Sequence, residues 1–469
     1  MLALCLAFRP HPTKRFSTLD PIMISGAKKT HPSALHRVAF GRIVEQMLGF
    51  VKESFLIMLF FTLLTGLILY KVIFIMNISA ISSVWTAYGI IASIFLVSRI
   101  PYSYLHQDDH DGTYVEELYP SVSIVIAAKN EEEGIFKTIT TCIESDYPNN
   151  IECIVINDGS TDGTEQEIKR AQLFFREKRV RLISFEENRG KREAMAAGIQ
   201  SAQNEIVVFV DSDSFLAPKA LKHIAEHFIA DESIGAVSGN TKVENINENL
   251  LTRMQSIQYA VSFDIYKASE SVHSSVTCCP GCFSAYRRSA LLQLVDAWKN
   301  HAFFGSKSTF GDDRGLTNFI LQKWNIVYCQ KALATTTVPE KFSIYWRQQM
   351  RWKKSWIREG IFASTFMWKK RHPFASLAFY IHFSFPIVGP ILVGTVLATS
   401  IITKNPSLFL IFISGFLLLG AVFALFVRVY HKADNWMIMP LYSFLFVTIF
   451  IWQMPIALLK LRDTSWGTR

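Results

Sequence analysis

The feature that most constrains this chain is the alternation of long charge-free tracts with one polar centre. Residues 54–70 carry no charge, and after Lys71 the run 72–98 carries none either. A helix that crosses a bilayer needs about 20 apolar residues, so 54–98 predicts two transmembrane helices joined as a hairpin, with Lys71 snorkelling at the far side. Beyond residue 373 come three more apolar blocks, 373–402, 405–427 and 436–459. Pro440 and Pro455 interrupt the last, which predicts a segment that re-enters the membrane without crossing it. Half of the 469 residues are hydrophobic and only 19% are charged, too apolar a balance for a purely soluble protein.

The flanks give orientation. Residues 1–53 contain Arg9, Lys14, Arg15, Lys28, Lys29, Arg37, Arg42 and Lys52 against few acids. "MLALCLAF" has no basic start and is short for a signal-peptide core, so 1–53 reads as a basic cytosolic tail. Arg99 follows the second tract, which puts both ends of the hairpin in the cytosol. A polar linker, 99–118, leads into the centre. The net charge of +9 suits an anionic membrane surface or a phosphorylated substrate. Nucleic acid is disfavoured, because the basic stretch lies against the apolar tracts and no nucleic-acid-binding signature is present. Cys278, Cys279 and Cys282 in "TCCPGC" read as reduced thiols, since a zinc site needs a fourth ligand and none is suggested nearby.

Between residues 119 and 340 the pattern changes to short β-branched runs: "VSIVIAA" (122–128), "ECIVIND" (152–158), "VRLISF" (180–185) and "EIVVFVD" (205–211). Helical stretches at 162–178 and 191–203 separate them. Strands and helices alternating at this spacing predict a mainly parallel, doubly wound α/β sheet, with function at the carboxyl ends of the strands.

The candidate residues gather at those ends. Asp158 closes the second strand in "NDGSTDGT", suited to a ribose or base edge or to a plain Asx turn. Asp211 and Asp213 follow the fourth strand; two carboxylates with one spacer can meet one Mg²⁺ or Mn²⁺, whose open positions suit a diphosphate. Gly190, Lys191 and Arg192 open a helix. Cations there oppose the helix dipole, a conflict that a bound phosphate relieves. Asp312, Asp313 and Arg314 in "FGDDRGLTN" offer a general base with a partner, or a helix cap. On a helix over 341–358, Gln348, Arg351 and Trp352 stand at i, i+3 and i+4 and share a face, while other cations of this 341–372 stretch meet lipid headgroups.

These motifs, "NDGSTDGT", "GKREAMAAG", "VDSD", "GDDRGLTN", "RQQMRW" and the terminal "RDTSWGTR", stand in the order found in processive family-2 glycosyltransferases. The chain resembles the hyaluronan synthases and, next, the chitin-oligosaccharide synthases of nodulating bacteria, over about residues 50–469. The resemblance implies a GT-A-type nucleotide-sugar transferase domain, an α/β fold inserted between α-helical transmembrane segments in the plasma or inner membrane. It further implies a cytosolic site, UDP-sugar donors, a growing polysaccharide acceptor, and Mg²⁺ or Mn²⁺. Carried over residue by residue, Asp158 holds uridine, Lys191 and Arg192 lie near the diphosphate, and Asp211 and Asp213 form the metal element. Asp313 is the base, Arg351 neutralises the leaving diphosphate, and Trp352 stacks beneath the acceptor sugar with Gln348 beside it. Trp466 and Arg469, in the 461–469 tail, match an element near the cytosolic site.

The substrate stays divided. Aspartate before the catalytic aspartate in "GDDR" favours the hyaluronan type, which alternates UDP-GlcNAc with UDP-GlcA, whereas "CCPGCFSAYRRSALL" leans to the type using UDP-GlcNAc alone. A glucuronate carboxylate asks for a cation in the sugar pocket, with Arg287 and Arg314 as candidates. Transfer of a single sugar to a lipid carrier is the rival, although it has no need of the Gln348, Arg351 and Trp352 set.

Overall fold

The computed structural model describes residues 80–463, apart from 107, 109–113, 176–178, 304, 308, 309 and 432–434, together with isolated positions between 55 and 70. The basic tail, most of the first predicted span and the terminal Trp466 and Arg469 lie outside the described residues.

Four strands, β1 (Val122–Ala128), β2 (Ile151–Asp158), β3 (Val180–Phe185) and β4 (Ile206–Phe209), fall where the β-branched runs predict them. β5 (Ser214–Leu216), β6 (Ile234–Val243), β7 (Ser284–Arg287), the small hairpin of β8 (Ala302–Phe303) and β9 (Ser306–Lys307), and β10 (Asn325–Thr336) complete the set. The main sheet has eight strands in the order β3-β2-β1-β4-β7-β6-β10-β5. The pairs among β3, β2, β1 and β4 are parallel, as is β6 with β10, while β7 runs antiparallel between β4 and β6 and β5 runs antiparallel on the edge. The first half is therefore the expected parallel sheet and the second half is mixed. The physical reason lies in burial. All eight residues of β2 are buried, as a parallel strand covered on both faces requires. Alternate residues serve opposite layers: Ile124 and Ile126 enter one core, Val125, Ile154 and Ile156 the other.

The helices used below are α1 (Ala80–Tyr104), α2 (Ile135–Ile143), α3 (Thr164–Phe174), α4 (Lys191–Ser201), α5 (Ala220–Ala230), α6 (Leu250–Ala260), α7 (Arg288–Lys299), α8 (Asp312–Leu321) and α9 (Phe342–Ser364). The apolar end of the chain forms α10 (Pro373–Ile402), α11 (Ser407–His431), α12 (Ile438–Thr448) and α13 (Gln453–Leu459). Among the described residues, two helices are long and apolar enough to cross a membrane, Pro373–Ile402 and Ser407–Arg428. α12 and the following segment, Phe450–Leu459, bend by 43° at their junction. Neither half of this bent pair stands clear of the sheet domain. Ile438, Tyr442 and Phe450 pack with Met254 of α6 and Tyr345 of α9, and Met454 and Ala457 pack with Ile357 of α9.

Candidate active site

β4 delivers the chain into Asp211, Ser212 and Asp213, and α4 begins opposite with Lys191. The Lys191 ammonium stands 2.6 Å from Asp211 Oδ1 and 3.8 Å from Asp313 Oδ1. Burial works against its charge, but the carboxylates of Asp211 and Asp313 outweigh it and hold the lysine above the usual range. Asp313 sits in the first turn of α8, after Gly311, whose backbone is left-handed at φ 80°. A Cβ on Gly311 would also meet Ser355 Oγ of α9 at 2.1 Å, so glycine alone lets the base loop lie against α9. Burial raises the Asp313 carboxyl; Lys191 opposes this while Asp211 and Asp312 add to it. Its Oδ1 is buried without a hydrogen bond. Asp213 is pushed up to about 6, first by burial and then by Asp211, and Thr336 at the end of β10 donates to it at 3.3 Å.

Asp211, Asp213 and Asp313 thus crowd together with Lys191 between two of them. Three clustered carboxylates, two of them raised first by burial and further by neighbouring acids, and one with an orphaned oxygen, fit a site that takes up further positive charge. Gly281 closes the floor: a Cβ there would lie 2.7 Å from both Asp211 Oδ1 and Lys191 Nζ. "TCCPGC" contained this contact, but no pattern in the sequence marks it.

Gln348, Arg351 and Trp352 of α9 line the same cavity as the three aspartates. The shared face predicted from helical spacing is thus turned into the site, and Trp352 remains 38% exposed there. Burial lowers the Arg351 pKa, with Asp313 and Asp211 pulling the other way. Asp158 also lines the cavity and receives the backbone N–H groups of Arg189, at 2.7 Å, and Gly190, at 3.0 Å. Its carboxylate therefore fixes the turn that presents Lys191.

Arg192 lies elsewhere. Its guanidinium is buried under Trp298 and pairs with Asp312 at 2.7 Å, because the next residue on a helix points about 100° away. Asp312 is consequently a scaffold for Asp313, tied to α4. Arg287 is likewise turned aside, donating to the carbonyls of Ile234 and Phe228. Arg314 lines the cavity.

Another group with metal-ligating atoms, Asp108, His227 and Cys329, is found among the described residues. Asp108 already bonds His227 Nε2 at 2.9 Å and the backbone N–H of Lys331 at 2.9 Å, so it fastens the linker to α5 and β10.

The cavity holds about 1450 Å³ and does not end at the carboxylates. It continues between the apolar helices, past Phe385 and Leu392 of α10, Phe416 and Phe423 of α11 and Tyr442 of α12. Further along α9, Lys354 meets the Asp463 carboxylate at 3.2 Å, and Arg358 Nε donates to the Leu461 carbonyl at 2.8 Å. Both cations also lie over the Phe310 ring of the base loop.

Residues 123–295 match the family model described as glycosyl transferase family 2. This chain carries a family-2 glycosyltransferase domain. Over 427 residues the glycosyltransferase is 28% identical to a hyaluronan synthase of Streptococcus pyogenes (serotype M6), a match covering 88% of this chain and 97% of that protein. It is 34% identical over 247 residues to an N-acetylglucosaminyltransferase of Rhizobium meliloti, covering 52% of this chain and 57% of the relative. Among solved structures it resembles a mannosyltransferase from Pyrobaculum calidifontis, with a TM-score of 0.54, 20% identity, and coverage of 83% of this chain and 99% of that one. That likeness bears on the fold, a GT-A-type domain, which here is followed by the apolar helices.

Proposed function

We propose that this glycosyltransferase is a membrane-embedded, processive, inverting β-glycan synthase that alternates UDP-GlcNAc and UDP-GlcA. The observation that carries the reading is the single cavity running from Asp211, Asp213 and Asp313 past Trp352 and on between α10, α11 and α12. A transferase that released each product would have no use for that continuation. A chain elongated at Asp313 needs somewhere to go.

In the reaction, Asp313 accepts the proton of the acceptor hydroxyl as its oxygen bonds to C1 of the donor. The bond from C1 to the phosphate oxygen breaks on the opposite face, and UDP departs with the electron pair. Arg351 and Lys191 meet the charge that develops on the diphosphate. The Trp352 indole offers a flat platform to the C–H face of the acceptor pyranose. Asp211 and Asp213 would hold Mg²⁺ or Mn²⁺, which when bound neutralises the donor's diphosphate. α10 and α11 cross the membrane, and the bent pair, packed on α6 and α9, is re-entrant with the catalytic domain in the cytosol.

The second reading, a synthase using UDP-GlcNAc alone, is favoured by the 34% identity to the Rhizobium N-acetylglucosaminyltransferase. The test offers detergent-purified protein each UDP-sugar alone and in pairs with Mg²⁺ or Mn²⁺, then digests the product with linkage-specific hydrolases. Long polymer that requires both donors supports the proposal. Polymer from UDP-GlcNAc alone, digestible by chitinase, selects the second reading, and a single transferred sugar refutes processivity.

A further inference from the structure

α6 does not stop at Ala260 but runs into seven residues of π-helix, Val261–Lys267. Such π turns are rare and are frequently found at functional sites. Here the turn lines the cavity with Ser262, Phe263, Tyr266 and Lys267. Lys267 is the unusual member. It is only 7% exposed, and its ammonium donates to the Cys278 carbonyl and lies 5.2 Å from the centre of the Phe263 ring. Among the described residues no carboxylate forms an ion pair with it. Glu270, one turn further along the same wall, commits both oxygens to Thr277, at 3.0 Å to the N–H and 3.0 Å to the hydroxyl. Burying an ammonium against one carbonyl is costly unless a stronger partner arrives.

The place of Lys267 says which partner. Its acceptor, Cys278, is three residues from Gly281, which abuts Asp211 and Lys191; three residues span at most about 10 Å. Tyr266, the residue before it, stacks on His382 of α10 with ring centres 5.1 Å apart. Lys267 therefore stands between the reacting carboxylates and the apolar helices, where the newest units of a departing chain pass. A neutral glycan would leave this ammonium without a counter-charge.

Resting on the reading of the protein as a glycan synthase, we propose that Lys267 receives the carboxylate of a uronic acid unit in the nascent chain and so determines acceptor specificity. A carboxylate there replaces a neutral acceptor with a charge-assisted bond. Arg314, also on the cavity wall, adds positive potential but belongs to the helix turn that carries Asp313.

The experiment compares wild type, Lys267→Met and Lys267→Arg in two assays: elongation with UDP-GlcNAc and UDP-GlcA together, and oligomer formation from UDP-GlcNAc alone. UDP binding, followed by fluorescence, verifies that each variant is folded. Loss of a charged hydrogen bond predicts that Lys267→Met lowers the ratio of the two rates about 10- to 100-fold and shortens the mixed polymer, while Lys267→Arg restores most of the ratio. An unchanged ratio in Lys267→Met, with both rates intact or both equally reduced, overturns the proposal. A wild type that elongates with UDP-GlcNAc but never incorporates UDP-GlcA overturns the choice of substrate itself, a separate result.

Discussion

Lys191→Met tests whether the base is electrostatically tuned by its neighbour. Lys191 stands 3.8 Å from Asp313 and 2.6 Å from Asp211, and it is the counter-charge that opposes the burial-driven rise of the Asp313 pKa. At an effective dielectric of about 20, an ammonium at 3.8 Å stabilises a carboxylate by about 4 kcal/mol, or about 3 pH units. Each partner is roughly a quarter exposed, so solvent screening reduces this to between about 1 and 2 units. The sign is fixed: a base whose pKa rises stays protonated to higher pH, so the acid limb of kcat/KM moves upward. The assay is UDP release across pH 5–9 (a range of about 4 units, centred on physiological pH), normalised within each variant so that lost donor binding does not distort the limb. Lys191→Arg should keep the limb near its wild-type position. If Lys191→Met shows the wild-type limb, Asp313 is not the group that titrates, and the assignment of the base falls.

Asp313→Asn should abolish polymer while leaving UDP affinity within about twofold, since a base acts on the acceptor; Asp213→Ala should instead weaken metal-dependent donor binding in the same titration. Trp352→Ala should shorten the product more than it raises the KM for donor, because an indole platform holds the acceptor; unchanged product length would return Trp352 to a membrane-interface role. Glu359 is 1% exposed and its pKa is raised to about 7 by burial, so the folded protein holds its proton where the unfolded chain has lost it. Its contribution is present below about pH 4.5 and disappears as pH climbs through 7, a loss on the order of 3 kcal/mol. Glu359→Gln should flatten that part of the thermal-stability profile, and an equally steep profile in the variant would count against it.

What the sequence made legible follows the physics of each signal. β1 to β4 could be read because parallel strands buried on both faces are continuous apolar runs. β6, β7 and β10 could not: "IGAVSGNTKV" mixes polar residues that are buried by partners elsewhere, and β10 breaks register with β6 between Tyr328 and Leu333. The helical spacing of Gln348, Arg351 and Trp352 was enough to bring them to one face. Lys191 and Arg192, adjacent in "GKRE", looked equivalent in sequence, yet only the first faces the cavity, since helix geometry sends the second under Trp298. Gly281 and Lys267 carry no local pattern. Their importance comes from long-range packing, the link that a single sequence conveys least.

The contact between the end of the chain and α9 has a consequence in simple counting. The chain leaves α9 at Ser364 and comes back to it at Leu461 and Asp463, held by Lys354 and Arg358. A path that departs from one side of a bilayer and returns to the same side has crossed an even number of times. If α10 and α11, the two helices of sufficient length among the described residues, both cross as proposed, they already use that number, and a third passage would leave Asp463 on the wrong face, where the contact could not form. On that proposed topology, parity makes the bent pair a dip and not a crossing. A cysteine placed after Arg462 should accordingly react with a membrane-impermeant reagent from the same side as one placed in the sheet domain.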